Sequence, residues 1–363
     1  MKKIVIDARE SGTSTGRYVD KLIEHLHALK PDYEFCILAY PHRHDYLHSI
    51  APTFEIIKTT HKEFTFDEQI GLLKQLKGLK ADLSFFPMVQ QPVFYKGRVV
   101  TTMQDLTTVR FRDPYKNPII YSIKQAVYKW VNKRVAKKSE IILTPTEYVK
   151  IDVANYCHIN PNKIIVTYEA ADKIPDKSEP IHGLSGKDFL LFVGRPAANK
   201  NLNRLVDAFA LLRQDNPELL LVLAGKTNHA YEQLKKYADA KTRGVVFTDF
   251  VSESQLRWLY EHTKAYVFPS LSEGFGLPGL EAMIHGAPVV SSNATCLPEV
   301  YKDAAYYFDP NDINDIVTRT YEVISNPKLS KELREKGLKL ARTYSWEQMA
   351  QQTLDAFDKA IAD

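Results

Sequence analysis

Short apolar runs rich in branched and aromatic residues alternate with longer helical patterns along this chain, and the alternation stops once and restarts. Parallel sheets with crossover helices require that alternation, because parallel neighbours cannot be joined by a tight turn. The first series of expected strands is Lys3 to Asp7, Glu34 to Ala39, Phe54 to Lys58, Leu83 to Phe86, Arg98 to Met103, Glu140 to Thr144 and Lys163 to Tyr168. The stretch from Ala171 to Pro180 then carries proline and charge without apolar periodicity, and reads as a linker. The second series is Asp188 to Gly194, Leu219 to Gly225, Gly244 to Phe247, Ala265 to Pro269 and Pro288 to Ser291, with a helix from about Leu202 to Leu212. The expectation is two doubly wound α/β domains, 1–172 and 188–345, separated by a linker at 173–187. At 363 residues the chain also exceeds the roughly 250 to 300 at which one core stops growing. The tail from Ser330 to Ala362 reads as helical with a break near Tyr344-Ser345-Trp346.

A formal net charge of +4 is small for this length and argues against a nucleic-acid binder, which normally shows a concentrated basic face with a recognisable motif. Cys36, Cys157 and Cys296 have no paired spacing, so neither a disulfide framework nor a zinc site is expected, and a reducing, cytoplasmic compartment fits. No apolar run approaches the roughly 20 residues that span a bilayer. The expectation is a soluble protein, at most peripheral at the inner face of a membrane.

The most informative stretch is Pro269 to Met283. It follows the strand Ala265 to Phe268 with a glycine-rich loop and then a helix whose first turn holds Pro278. Gly274 and Gly276 let backbone amides approach a ligand, and amides at the positive end of a helix form an anion site suited to a diphosphate. Glu281, placed in the first turn or so, suits hydroxyls rather than phosphate. Such a loop alone can equally do no more than turn the chain. A second element bears on the choice: Arg195 and Lys200 follow the first strand of the same domain, so two cations and a helix terminus converge on one edge. Ser252 and Gln255 form a capping box that leaves Phe250 and Val251 in a strand-to-helix turn, a usual ligand position in such folds.

On these residues the sequence resembles glycosyltransferase family 4, the retaining GT-B enzymes that include many bacterial mannosyl- and glucosyltransferases. Glu273 and Glu281 match that family's pair of glutamates, Arg195 and Lys200 its diphosphate-binding pair, and Leu297-Pro298-Glu299-Val300 the segment that follows. The resemblance covers essentially the whole chain and is far stronger after residue 188. It implies two Rossmann-like domains facing a cleft, a nucleotide diphosphate sugar bound on the C-terminal one and an acceptor mostly on the other. It further implies Glu273 at the transferred sugar, Glu281 at the ribose, and Gly274, Phe275, Gly276 and Leu277 holding sugar and phosphate. Phe250 and Val251 would lie by the base. The family's last helix often crosses back to the first domain, which here points to 346–363. Cys296 to Val300 and Phe308-Asp309-Pro310 look most like mannosyltransferase-leaning members acting on cell-surface polysaccharides, with GDP-mannose the favoured sugar source. The chain has no Asp-x-Asp, the usual metal-holding motif of other glycosyltransferases, so no metal and no cofactor are expected.

The first half matches less closely. Thr15-Gly16-Arg17-Tyr18 resembles the family's loop opening the first helix, which implies Gly16 near phosphate or acceptor. Gln104-Asp105 stands where the family often has His-Asp. A glutamine can hydrogen-bond a sugar hydroxyl but cannot exchange protons, and Asp105 serves either function or a helix cap. Tyr115 to Lys138 mixes seven cations with Tyr121, Tyr128 and Trp130; it reads either as a core helix with a solvated basic face or as a dock for an anionic membrane carrying lipid-linked acceptors. The isolated histidines His158, His229 and His285 show no ligand spacing. The expected activity is therefore hexosyl transfer, mannose favoured, to a glycan or lipid-linked acceptor. Rivals are a nucleotide-sugar-binding homologue without turnover and a sugar-nucleotide epimerase; a dinucleotide oxidoreductase is disfavoured because no Gly-x-Gly-x-x-Gly follows Asp7 or Gly194.

Overall fold

The structure, a computed structural model, describes residues 1–13, 16–112 and 118–362, without the side chains of 118–120. Contacts divide the chain into two units. The first takes the stretches through Val109, onward through Glu169, and from Ser345; the second takes Ala170 to Tyr344.

The first unit holds strands β1 (Lys2–Asp7), β2 (Tyr33–Ala39), β3 (Glu55–Lys58), β4 (Leu83–Phe86), β5 (Val99–Thr102), β6 (Ile141–Thr144) and β7 (Ile164–Val166). They form a parallel sheet in the order β3-β2-β1-β4-β5-β6-β7. Ile4, Ile6, Phe85, Val100 and Ile142 are buried on strands with almost no polar alternation, as expected when helices cover both faces of a sheet. The final helix, Trp346–Ala362, belongs to this unit: Phe357 lies 5.1 Å from Phe85, ring to ring, and Arg98 donates to the Ile361 carbonyl at 2.6 Å. Helix Pro327–Ala341 ends before it, so the break falls where Tyr344-Ser345-Trp346 predicts.

The second unit holds β8 (Phe189–Val193), β9 (Leu220–Ala224), β10 (Val245–Phe247), β11 (Ala265–Phe268), β12 (Val289–Ser292) and β13 (Ala305–Phe308). They form a second parallel sheet in the order β10-β9-β8-β11-β12-β13. Strand β13 was not expected from the sequence; Ala305-Tyr306-Tyr307-Phe308 is short, and its two central tyrosines are only half-buried at the sheet edge. In each sheet the chain winds outward in one direction and then returns to the other side of its first strand. The switch falls between β1 and β4 in one sheet and between β8 and β11 in the other. Ligands of doubly wound folds bind beyond the carboxyl ends of the strands at that point.

Candidate active site

The loops that leave β8 and β11 emerge side by side at the switch point of the second sheet. The first runs to helix Leu202–Asp215, the second to helix Leu277–Ile284. Backbone and amide contacts join them. Leu271 N–H donates to the Asn199 carbonyl at 2.7 Å, and the Asn199 side chain donates to the Ser272 carbonyl at 2.9 Å. The Asn201 amide group reaches the Pro269 and Pro310 carbonyls at 3.2 and 2.7 Å. Asn201 sits at φ +57°, a left-handed conformation that asparagine tolerates better than most residues.

This stitching brings Lys200 and Glu273 together, Nζ to Oε1, with Nζ also 5.5 Å from the centre of the Phe268 ring. Glu273 is anchored through its backbone: its N–H donates to Thr295 Oγ1 at 3.1 Å, and Cys296 Sγ donates to its carbonyl at 3.2 Å. Gly276 adopts φ +89° and precedes Leu277 and Pro278 of the helix. A Cβ on Gly276 would meet the Tyr301 hydroxyl at 2.5 Å, and that hydroxyl donates to the Gly276 carbonyl. Tyr301 is fully buried, which pushes its phenol well above the ordinary range and keeps it a neutral donor. Gly274 and Phe275 are buried beside it. The helix begins with no side-chain cap at Gly276, and Gly279 N–H donates to the Gly276 carbonyl at 3.0 Å.

Glu281 lies in the second turn of that helix rather than the first, because the helix starts at Leu277. One of its carboxylate oxygens accepts from the Tyr260 hydroxyl at 3.2 Å. His285 is the C-cap of the same helix, and its ring stacks on Tyr260 at 5.5 Å and 16°. Ile174 N–H donates to His285 Nε2 at 3.0 Å, so Nδ1 carries the proton and donates to the Glu281 carbonyl at 2.7 Å. Burial lowers this histidine to about 4, keeping it neutral and structural. Arg195 is exposed directly after β8, and Phe250 is 78% exposed after β10 with Val251 half-buried beside it. The expected capping box of Ser252 and Gln255 is present at helix Glu253–His262.

In the first unit, Gly16 opens helix Gly16–Leu29 so close to the preceding loop that a Cβ would sit 1.8 Å from the Glu10 carbonyl oxygen. Its glycine has a packing reason there. Thr15, expected beside it, lies outside the described residues. Asp105 Oδ1 accepts from Thr107 N–H at 2.9 Å at the start of a short helix, a capping role. Gln104 is half-buried and donates to Glu169, a residue only 4% exposed. Burial pushes the Glu169 carboxyl up to about 7, opposed by the Gln104 hydrogen bond and the Arg17 charge. Nearby, the Tyr18 hydroxyl and Thr102 Oγ1 are 3.0 Å apart.

Residues 175–340 match the family described as Glycosyl transferases group 1. That match covers nearly all of the second unit, which is similar there to the group 1 glycosyltransferases. It is 27% identical over 271 residues to "O-antigen chain mannosyltransferase B" of Escherichia coli, covering 72% of this chain and 70% of that one. It is 28% identical over 239 residues to "Serotype-specific mannosyltransferase WbdA" of the same organism, covering 62% of this chain but only 29% of that longer one. Among solved structures it resembles sucrose-phosphate synthase from Thermosynechococcus elongatus, with a TM-score of 0.77, 15% identity and 100% coverage of both chains. Anabaena HepE in complex with UDP-glucose is similar, with a TM-score of 0.75, 14% identity and coverage of 99% and 100%. These two likenesses carry the GT-B fold and nothing finer.

The sequence located one loop pair and the structure joins it: Lys200 and Glu273 meet, while Arg195 and Phe250 are exposed on loops of the same unit. Glu169 is not marked in the sequence, where Lys163 to Tyr168 reads as strand, whereas β7 ends at Val166. Its only signal is a carboxylate three residues past an apolar strand, at the carboxyl edge of a parallel sheet.

Proposed function

We propose that this chain is a retaining, metal-independent hexosyltransferase. It moves mannose from a nucleotide diphosphate sugar such as GDP-mannose to a glycan or lipid-linked acceptor during cell-surface polysaccharide synthesis. The observation that carries the reading is the meeting of Lys200 and Glu273 beside an uncapped helix N-terminus at the switch point of the second sheet. Breaking a glycosyl-phosphate bond sends the bonding pair to the diphosphate and leaves positive charge on the sugar ring, while the acceptor oxygen bonds to the anomeric carbon and passes its proton to the departing diphosphate oxygen. Lys200, Arg195 and the helix terminus suit the negative charge; Glu273 suits the hydroxyls of the sugar that bears the positive one. Groups preorganised in this way lower such barriers by several kcal/mol, roughly 3 to 4 for one well-placed donor. The mannosyltransferase names of the E. coli relatives support the sugar, and the absence of Asp-x-Asp supports independence from metal.

Incubation with a panel of labelled nucleotide sugars and glycan acceptors in excess chelator tests this. The reading expects transfer of mannose with the anomeric configuration of the sugar donor preserved in the product spectrum. An inverted product, or transfer only with added divalent metal, contradicts it. A second reading, binding without turnover, is favoured by Gln104, which cannot exchange protons, and predicts saturable binding with no transfer to any acceptor.

A further inference from the structure

Helix Pro118–Lys138 carries six cations, Lys124, Lys129, Lys133, Arg134, Lys137 and Lys138, and no carboxylate. Its buried face is formed by Asn132, Val135 and Ala136, with Tyr128 packed against the core of the first unit. That face already satisfies what a core helix needs. Ile123, Val127 and Trp130, spaced four and three residues apart, nevertheless form a second apolar stripe, and it faces solvent. Exposed Lys124, Lys129 and Arg134 flank it.

Two other segments of the same unit extend the stripe. The segment after β3 exposes Phe66 (88%) and Ile70 (71%), and its Phe64, held at φ +60°, places its ring 6.3 Å from that of Tyr128. The segment after β4 exposes Phe94, whose ring lies 6.4 Å from that of Trp130. Of the thirteen large apolar residues exposed among the described residues, seven therefore belong to these three segments. Single exposed apolar residues need no explanation, but a ring-linked group of them does. Lys62 and Lys96 add charge at its margin, and the exposed carboxylate of the segment after β3, Asp67, is paired with His61.

We infer that this composite surface is a dock for an anionic lipid bilayer, with Phe64, Phe66, Ile70 and Trp130 entering the headgroup region and the surrounding lysines meeting lipid phosphates. Aromatic and branched side chains ringed by cations are the chemistry of interfacial binding, and a cationic surface without free carboxylates is poorly matched to a second copy of itself. The inference rests on the acceptor half of the proposed function: a lipid-linked acceptor presents its sugar at such a surface. It goes beyond a basic helix alone, because Phe66 and Ile70, the most exposed apolar residues of the surface, lie on the segment after β3.

The test is cosedimentation of the full chain with phosphatidylcholine vesicles containing phosphatidylglycerol, against phosphatidylcholine alone. Hydrolysis of the nucleotide sugar is followed separately in the absence of vesicles, so loss of docking and failure of the proposed activity give different results. Binding is expected to need the anionic lipid and to fall at least ~10-fold in Phe66→Ser/Ile70→Ser and in Lys124→Glu/Lys129→Glu, at unchanged hydrolysis and circular dichroism. Trp130 emission is expected to shift to the blue with vesicles in the wild type. Absence of binding at low salt overturns the inference, as does equal binding by the variants. Self-association in sedimentation velocity that the same substitutions abolish also overturns it, in favour of an interface between copies.

Discussion

Lys200 and Glu273, carried by loops that leave neighbouring strands of the second sheet, are ion-paired with each other while both remain mostly shielded from solvent. Under the proposed function, Lys200 serves the departing diphosphate and Glu273 the transferred sugar. Lys200→Ala removes the cation and leaves Glu273 without that partner. The expected outcome is a turnover loss of about 10²- to 10³-fold, read by steady-state transfer assays. Lys200→Arg is expected to recover only part of it, because a planar fork does not replace a point charge in a fitted loop.

Gly276 is required by the geometry of the loop. Alanine there must adopt φ +89° and place its Cβ against the Tyr301 hydroxyl and Leu297. Gly276→Ala is expected to lower stability by roughly 1–3 kcal/mol in chemical denaturation and to weaken nucleotide-sugar binding together with it.

His285 gives a stability dependence on acid. Burial lowers it to about 4 from an ordinary value of 6.5, with Glu261, Arg257, Lys173 and Glu253 the charges that act on it. The native state therefore binds fewer protons than the unfolded chain between those values, so this contribution is complete above about 6.5 and is lost as pH falls toward 4. Melting temperatures recorded across that window are expected to fall less steeply in His285→Ala, which should also be less stable at pH 7.

Glu169 acts in the opposite sense. Its carboxyl is raised to about 7 by burial, so the native state binds more protons than the unfolded chain from about 4.5 to 7 and this group costs stability as pH rises. Glu169→Gln is expected to gain stability over the wild type by up to about 3 kcal/mol at pH 8 compared with pH 4.5, with Arg17 reducing the effect. If Gln104 contacts sugar, the same variant is expected to shift the pH profile of transfer without changing the nucleotide affinity.

Both sheets were legible because parallel strands covered on two faces read as continuous apolar runs, as in Phe189 to Val193 and Leu220 to Ala224. The edge strand β13 was not, since its Tyr306 and Tyr307 are half-buried and mimic a polar connection. The loop pair at Lys200 and Glu273 was legible from cations and glycines following strands, yet the partner of each was not: the pairing depends on Asn199 and Asn201 joining loops some 70 residues apart in sequence. Glu169 was illegible for a related reason. Its hydrogen bond to Gln104 and its burial arise from packing over 65 residues of sequence, and no local spacing marks it.

The most direct test of the account is calorimetric titration of GDP-mannose, in excess chelator, into the wild type, Lys200→Ala and Glu281→Ala. The account predicts saturable metal-free binding by the wild type, weakened about 10- to 100-fold in each variant as charged hydrogen bonds are lost. Wild-type affinity in both variants, or binding only when divalent metal is restored, would contradict the assignment of the sugar-nucleotide site to these loops.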